Sequence, residues 1–136
     1  MSETRSTLNK LQSFCEQVFL AAGANEPTAL AATKAMMHGT RYGVDSHGVR
    51  LLDHYITALN GGRINKSPNL HKAAGFGAIE TLNADDAHGA LSAYTAMDRA
   101  IALAEQFGIG AVAIQNTSHF GPAGAYSIEA AKRGFV

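Results

Sequence analysis

Residues 108–122, which read GIGAVAIQNTSHFGP, decide the fold class. The run 110–114 is short and apolar, as expected of a strand that is buried in a sheet. Gly108 before it is the kind of residue that ends a helix, and Pro122 after it favours the first position of a new one. The segment therefore predicts a helix end, a strand, a turn over 116–119 and a second helix.

Upstream of this segment, apolar spacing and capping residues predict mainly helices. The first expected helix spans about 5–22. A second helix, with Asn25 and Pro27 as a cap-like start, carries the alanine-rich run 28–38 and ends at Gly39 or Gly43, and a third begins at Asp45 or Ser46 and ends at Gly61-Gly62. A strand over 76–82 and a long helix from Gly89 or Ser92 to Gly108 follow. Helices followed by strand, helix, strand and helix give a mixed α/β class. We expect a helical segment over residues 1–72 and the start of a central α/β domain over 73–136.

Composition excludes several classes of function. Lys and Arg together number 11 and Asp and Glu together number 11, so the formal charge is zero. Without a basic tract, neither nucleic acid nor a membrane surface is an expected partner. No window approaches 18 consecutive apolar residues, and residues 1–5 show no secretion signal. We expect a cytoplasmic protein.

The last residues predict that the chain is the N-terminal part of a longer polypeptide. Gly134 matches Gly108 as a helix stop, and after Gly108 the chain enters a strand at once. Only Phe135 and Val136 follow Gly134. The alternative is a complete small helical domain.

Two segments carry residues suited to chemistry, and the first is 43–50, GVDSHGVR. If it opens the third helix, its unpaired N–H groups attract an anion. Ser46 then offers a hydroxyl, Arg50 offers two parallel hydrogen bonds to a carboxylate, and His47 exchanges a proton near neutral pH. The alternative is a capping serine beside a solvated histidine and arginine.

The second segment, 116–126, lies at a strand-to-helix turn, where active sites of open α/β sheets gather. His119 would stand over the N-terminus of the last helix, whose dipole favours a neutral imidazole. The alternative is a histidine packed against Tyr126. Weaker patterns are set aside: 108–113 matches G-x-G-x-x-A but follows a helix instead of a strand, and an acidic turn accounts for Asp85, Asp86 and His88 without a metal.

Residues 45–49, 61–65 and 118–121, which read DSHGV, GGRIN and SHFG, together resemble the type-2 malate/L-lactate dehydrogenase family. The resemblance extends over the whole chain. It implies the N-terminal part of a larger, non-Rossmann oxidoreductase fold that works as a homodimer or larger assembly.

The resemblance also implies hydride transfer between NAD or NADP and a small 2-hydroxy or 2-oxo acid such as malate or lactate. The predicted site comprises His47 and His119 as catalytic residues, Ser46, Arg50 and Ser118 as substrate-binding residues, and Gly121 as a cofactor-binding residue, with no metal. The substrate arginine of many members falls at Leu51, one place after Arg50. Most cofactor contacts of the family lie downstream of this chain. The alternative is a catalytically silent, truncated homologue that serves as a dimerisation module.

Overall fold

The computed structural model describes residues 5–136, so the prediction about a secretion signal falls partly on residues 1–4, outside the described part. In chain order the elements are α1 (Leu8–Ala21), α2 (Glu26–Arg41), α3 (Leu52–Asn60), β1 (His71–Phe76), β2 (Ile79–Ala87), α4 (Gly89–Phe107), β3 (Ala111–Thr117) and α5 (Gly124–Lys132). Two short 3-10 turns, Asp45–His47 and Val49–Leu51, join α2 to α3. The mixed α/β class is confirmed. Within residues 5–136 no helix is both long and apolar enough to cross a membrane.

Local capping explains where the two longest helices begin or end. The Asn25 side chain accepts a hydrogen bond from the Thr28 amide at 3.0 Å and caps α2. Gly108 ends α4 in the left-handed region at φ +82°, where a residue without Cβ pays no steric cost. Both features agree with the predicted positions.

The sheet contains one strand more than predicted. Its order is β1-β2-β3, with β1 antiparallel and β3 parallel to β2. The predicted strand over 76–82 instead spans the tight turn of the β1–β2 hairpin at Gly77 and Ala78. Every residue of β1 is exposed, so this edge strand has no buried face and no apolar alternation that would reveal it.

The acidic turn predicted at Asp85 and Asp86 is a distorted end of β2. Between the pairs Asn83–Gln115 and Ala87–Thr117, β2 uses three residues where β3 uses one. Asp85 and Asp86 take up the excess in the left-handed region, at φ +53° and +56°. Asp and Asn adopt this conformation more readily than other residues with a side chain.

Helix α2 lies at the centre of the core and is buried on two faces. One face packs against α1 and α3, in a cluster that comprises Cys15, Phe19, Ala24, Ala29, Ala32, Met36, Tyr55, Leu59 and Ile64. The other face packs against α4 and α5, in a cluster of Ala31, Ala35, Ala90, Ala125 and Tyr126. Small alanines let these helices approach closely. The division into segments 1–72 and 73–136 stays a prediction.

Candidate active site

The structure brings the two predicted histidines together. The ring centroids of His47 and His119 are 5.5 Å apart, although 71 positions separate the residues in the sequence. His47 is half-buried and His119 is exposed, so both rings are accessible to a ligand. Two imidazoles at this distance can act on one small molecule.

His47 does not lie at the start of a helix, which corrects the predicted third helix from Asp45 or Ser46. It ends the first 3-10 turn, and α3 begins only at Leu52. The reason is a close backbone contact with α2: a Cβ on Gly39 would lie 2.5 Å from the His47 carbonyl oxygen.

The side chain of Thr40 fixes this turn on α2. Its hydroxyl accepts a hydrogen bond from the Val49 amide at 2.9 Å and donates one to the Met36 carbonyl at 3.1 Å. A Cβ on Gly48 would lie 2.7 Å from the same hydroxyl oxygen. The Val49 amide is thus paired with α2, and the amides of His47 and Gly48 are paired within the turn itself. Because α3 begins only at Leu52, His47 does not lie at the N-terminus of an α-helix dipole.

The His119 segment is fixed to the first residue of α4. The Ser118 hydroxyl accepts a hydrogen bond from the Gly89 amide at 3.0 Å and donates one to the Ala87 carbonyl at 3.2 Å. The hydroxyl of Ser118 thus joins the end of β2, the end of β3 and the start of α4. Its predicted contact with substrate stays a prediction.

Gly89 allows this contact because it has no side chain. A Cβ there would lie 2.4 Å from the carbonyl oxygens of both Ser118 and His119. We expect Gly89→Ala to lower the free energy of unfolding by about 1–3 kcal/mol, because the backbone must move to relieve the overlap. Urea denaturation measures the loss.

The matched control is Gly124→Ala at the start of α5, where the new Cβ would meet only the movable ring of His38 at 3.2 Å. Equal losses for the two variants would contradict the assignment of a steric role to Gly89.

Two further residues complete the site, and sequence analysis missed both. The Tyr55 hydroxyl lies 2.9 Å from Nδ1 of His119. The His88 ring makes a T-shaped contact with the Tyr55 ring, with centroids 4.2 Å apart. Nδ1 of His88 also accepts a hydrogen bond from the Ala90 amide at 3.1 Å and so caps α4.

These residues are held in their neutral forms by their surroundings. Burial is the main reason that the pKa of His88 falls to about 3, with smaller contributions from His119 and His54. Burial raises the pKa of Tyr55 to about 12. The pKa of His119 is lowered by desolvation first and then by His47 and His54. A neutral His119 agrees with the prediction, but α5 begins at Gly124, so its dipole is not the cause.

The remaining predicted site residues differ in their contacts. The Ser46 hydroxyl lies 2.9 Å from Nδ1 of His47. Arg50 is exposed and makes no hydrogen bond or ion pair within residues 5–136. Gly121 adopts φ +78°, and a Cβ there would lie 3.6 Å from the Tyr55 hydroxyl oxygen.

Acidic residues do not join His88 in a metal site. Asp85 accepts hydrogen bonds from the Asn65 side chain and the Asn69 amide, at 3.0 and 2.9 Å. In the part of the chain that the structure describes, no group of three or more His, Cys, Asp or Glu side chains is arranged to hold a metal ion.

Comparison with known proteins identifies the family. The sequence profile described as malate/L-lactate dehydrogenase matches residues 6–136. The chain belongs to the malate/L-lactate dehydrogenase family. The family assignment agrees with the resemblance drawn from the DSHGV, GGRIN and SHFG segments.

Individual relatives of the family are similar over nearly the whole chain but are much longer. A 2,3-diketo-L-gulonate reductase from Citrobacter koseri is 37% identical over 130 residues, which are 96% of this chain and 39% of that protein. Malate dehydrogenase from Pyrococcus horikoshii OT3 superposes with a TM-score of 0.93 at 30% identity, covering 96% of this chain and 38% of the other. For sulfolactate dehydrogenase from Methanocaldococcus jannaschii the TM-score is 0.90 at 30% identity, covering 93% and 37%. The chain thus spans about two fifths of the length of the relatives it matches.

Proposed function

We propose that this chain supplies the proton-transfer half of an oxidoreductase site that interconverts a small 2-hydroxy acid and its 2-oxo form. The observation that carries the proposal is the 5.5 Å separation of the His47 and His119 rings. Family membership supports it, because the matched relatives are named as dehydrogenases and reductases. The names malate, sulfolactate and diketogulonate all describe acids with oxygen on the carbon next to the carboxylate.

The role of the histidines follows from the reaction. Reduction of a 2-oxo acid places a hydride on the carbonyl carbon and a proton on the carbonyl oxygen. One imidazole donates that proton and takes it back in the reverse direction, which contributes about 10²–10⁴-fold in rate. The second imidazole donates a hydrogen bond to the same oxygen and polarises the carbonyl.

Binding of the substrate carboxylate is proposed for Arg50, assisted by Ser46. Arg50 lies in the 3-10 turn Val49–Leu51. Because a 3-10 helix has three residues per turn, successive side chains there are rotated by about 120° around the helix axis. Arg50 has no competing partner within the described residues, so its guanidinium is available for a bidentate contact with a carboxylate. The Ser46 hydroxyl is exposed beside His47 and can contact the same group.

NAD or NADP is the proposed cofactor, and it would supply the hydride. A cavity of about 310 Å³ lies beside the site, lined by α4, β3, Ser118, Phe120 and Tyr126. Its lining is almost wholly apolar and includes no Lys or Arg, so it suits a flat ring and not a phosphate. Phe120, which lines this cavity, and the adjacent Gly121 are the residues proposed to hold the ring. The groups that hold the phosphates are proposed to lie outside this chain.

The test is an assay of the longest protein that contains this chain, with a panel of 2-oxo acids and with NADH and NADPH separately. Oxidation of the reduced cofactor that depends on the acid is expected, with an equivalent amount of 2-hydroxy acid formed. Absence of turnover with every acid and both cofactors would overturn the proposal.

The alternative, a silent dimerisation module, is not favoured by the comparisons. A homodimeric assembly and a cytoplasmic location are further proposals that rest on the resemblance to the family.

A further inference from the structure

We propose that Tyr55 is a positioning residue that donates its phenolic hydrogen to Nδ1 of His119 and thereby keeps the proton of the neutral imidazole on Nε2. The inference deepens the proposed function, because it states which hydrogen His119 presents to the substrate oxygen. The tautomer itself is a property of the protein alone and requires no substrate.

The first support is geometric. The Tyr55 hydroxyl oxygen and Nδ1 of His119 are 2.9 Å apart, a good hydrogen-bond distance, and the rings are stacked at 30° with centroids 6.0 Å apart. Tyr55 is only 2% exposed. Within residues 5–136 its hydroxyl has no second hydrogen-bond partner.

The direction of this hydrogen bond follows from counting hydrogens. A neutral imidazole carries one N–H, and a phenol carries one O–H. If Nδ1 were protonated, it would donate to Tyr55, and the phenolic hydrogen would then lack an acceptor in a buried setting, which costs free energy. If Tyr55 donates to Nδ1, both groups are satisfied. The pKa of Tyr55 is raised by burial and that of His119 is lowered, so both are in the required protonation state at neutral pH.

The Tyr55 ring is held in place by His88. The T-shaped contact at 4.2 Å packs a fully buried imidazole against the phenol, and His88 is itself fixed by its hydrogen bond to the first turn of α4. A hydroxyl on a ring that cannot rotate selects one tautomer of its partner more strongly than a mobile one.

The consequence for the reaction is that His119 and His47 have different roles. A neutral His119 with its hydrogen on Nε2 is a hydrogen-bond donor, and it has no lone pair on that nitrogen to act as a base. Proton transfer then falls to His47, whose Nδ1 contacts Ser46 instead of a buried phenol. His119 polarises the carbonyl oxygen, and His47 carries the proton.

The test is nuclear magnetic resonance of the protein with histidine labelled by ¹⁵N in the ring, near pH 8. Protonated and unprotonated ring nitrogens have well-separated shifts, and His119→Gln identifies the His119 signals. We expect Nε2 of His119 to be protonated in the unmodified protein and a mixture of tautomers in Tyr55→Phe. Circular dichroism confirms that the variant, which keeps the ring, is folded.

Tyr42→Phe is the matched control. Tyr42 is exposed, and its ring lies 4.6 Å from the ring of His38 without a hydrogen bond between them. This variant should leave the His119 signals and the turnover unchanged.

In the assay, Tyr55→Phe should lower kcat by about 10- to 100-fold, with a smaller change in KM. This is the range found when the partner that orients a metal-bound histidine is removed.

Two results would overturn the inference: a proton wholly or partly on Nδ1 of His119 in the unmodified protein, or an unchanged tautomer in Tyr55→Phe. The first needs no variant, so a folding defect cannot obscure it. Failure of the proposed function is distinguishable, because it appears as missing turnover in the unmodified protein, whatever the tautomer.

Discussion

His47→Ala is expected to lower kcat by about 10²–10⁴-fold, and His119→Ala by the lower part of that range. The two rings are 5.5 Å apart and accessible, and no other pair of described histidines combines these properties. Removal of His47 deletes the proposed proton carrier, whereas removal of His119 deletes the proposed hydrogen-bond donor to the same oxygen. Steady-state kinetics with the best 2-oxo acid from the panel measures both effects.

Glutamine variants separate the two roles. A glutamine at position 119 keeps an N–H near the place of Nε2, so His119→Gln should retain more activity than His119→Ala. His47→Gln should be as impaired as His47→Ala, because an amide does not exchange a proton at neutral pH. His71→Ala, which removes an exposed histidine on β1, is the control. Near-normal turnover in both alanine variants would contradict the assignment of the site.

Acid is expected to destabilise the fold through His88, and this is the second large effect. The pKa of His88 is about 3 in the folded protein, compared with 6.5 for a free histidine. Between these two pKa values, the unfolded chain therefore binds a proton at His88 that the folded chain does not bind. The stabilisation is complete above pH 6.5 and is lost progressively as the pH falls towards 3. The expected loss is about 2 kcal/mol at pH 5.

Urea denaturation at pH 7.5 and pH 5 measures this loss, and His88→Asn is the matched variant. Asparagine is a good N-cap, so its side-chain oxygen can replace Nδ1 of His88 as the acceptor for the Ala90 amide, while the group that titrates is removed. The variant should be less stable at pH 7.5, because the ring contacts with Tyr55 and Phe19 are lost. Its stability should nevertheless change less between the two pH values. An equal change in both proteins would show that His88 does not control the acid sensitivity.

The parts of the fold that the sequence predicts well are those governed by local rules. The caps and stops at Asn25 and Gly108 depend on residues within one turn, and both lie where expected. The edge strand β1 was missed because its pairing depends on a neighbouring strand, whereas its own residues bury neither face. The 3-10 turns before α3 were missed for a similar reason, since the contact of Gly39 with His47 joins separate elements.

The site shows the same limit. His47 and His119 stand in recognisable segments with serine and glycine neighbours, and those segments indicated both residues. Tyr55 has no such signal, because it lies in an apolar stripe that is typical of a helix packed on a core. His88 was considered only beside Asp85 and Asp86, as a metal ligand. Their roles become visible only when the fold brings residues 55, 88 and 119 together.

The contact between Gly89 and the backbone of residues 118 and 119 has a consequence for protein engineering. The backbone of residues 118 and 119, in the proposed active site, packs closely against the start of the longest helix, so we expect alterations there to disturb the scaffold before they alter ligand preference. Ser46 and Arg50, the residues proposed to bind the substrate carboxylate, are exposed. Libraries intended to broaden or redirect the choice of acid should therefore diversify positions 46 and 50 and leave 89 and 118 untouched.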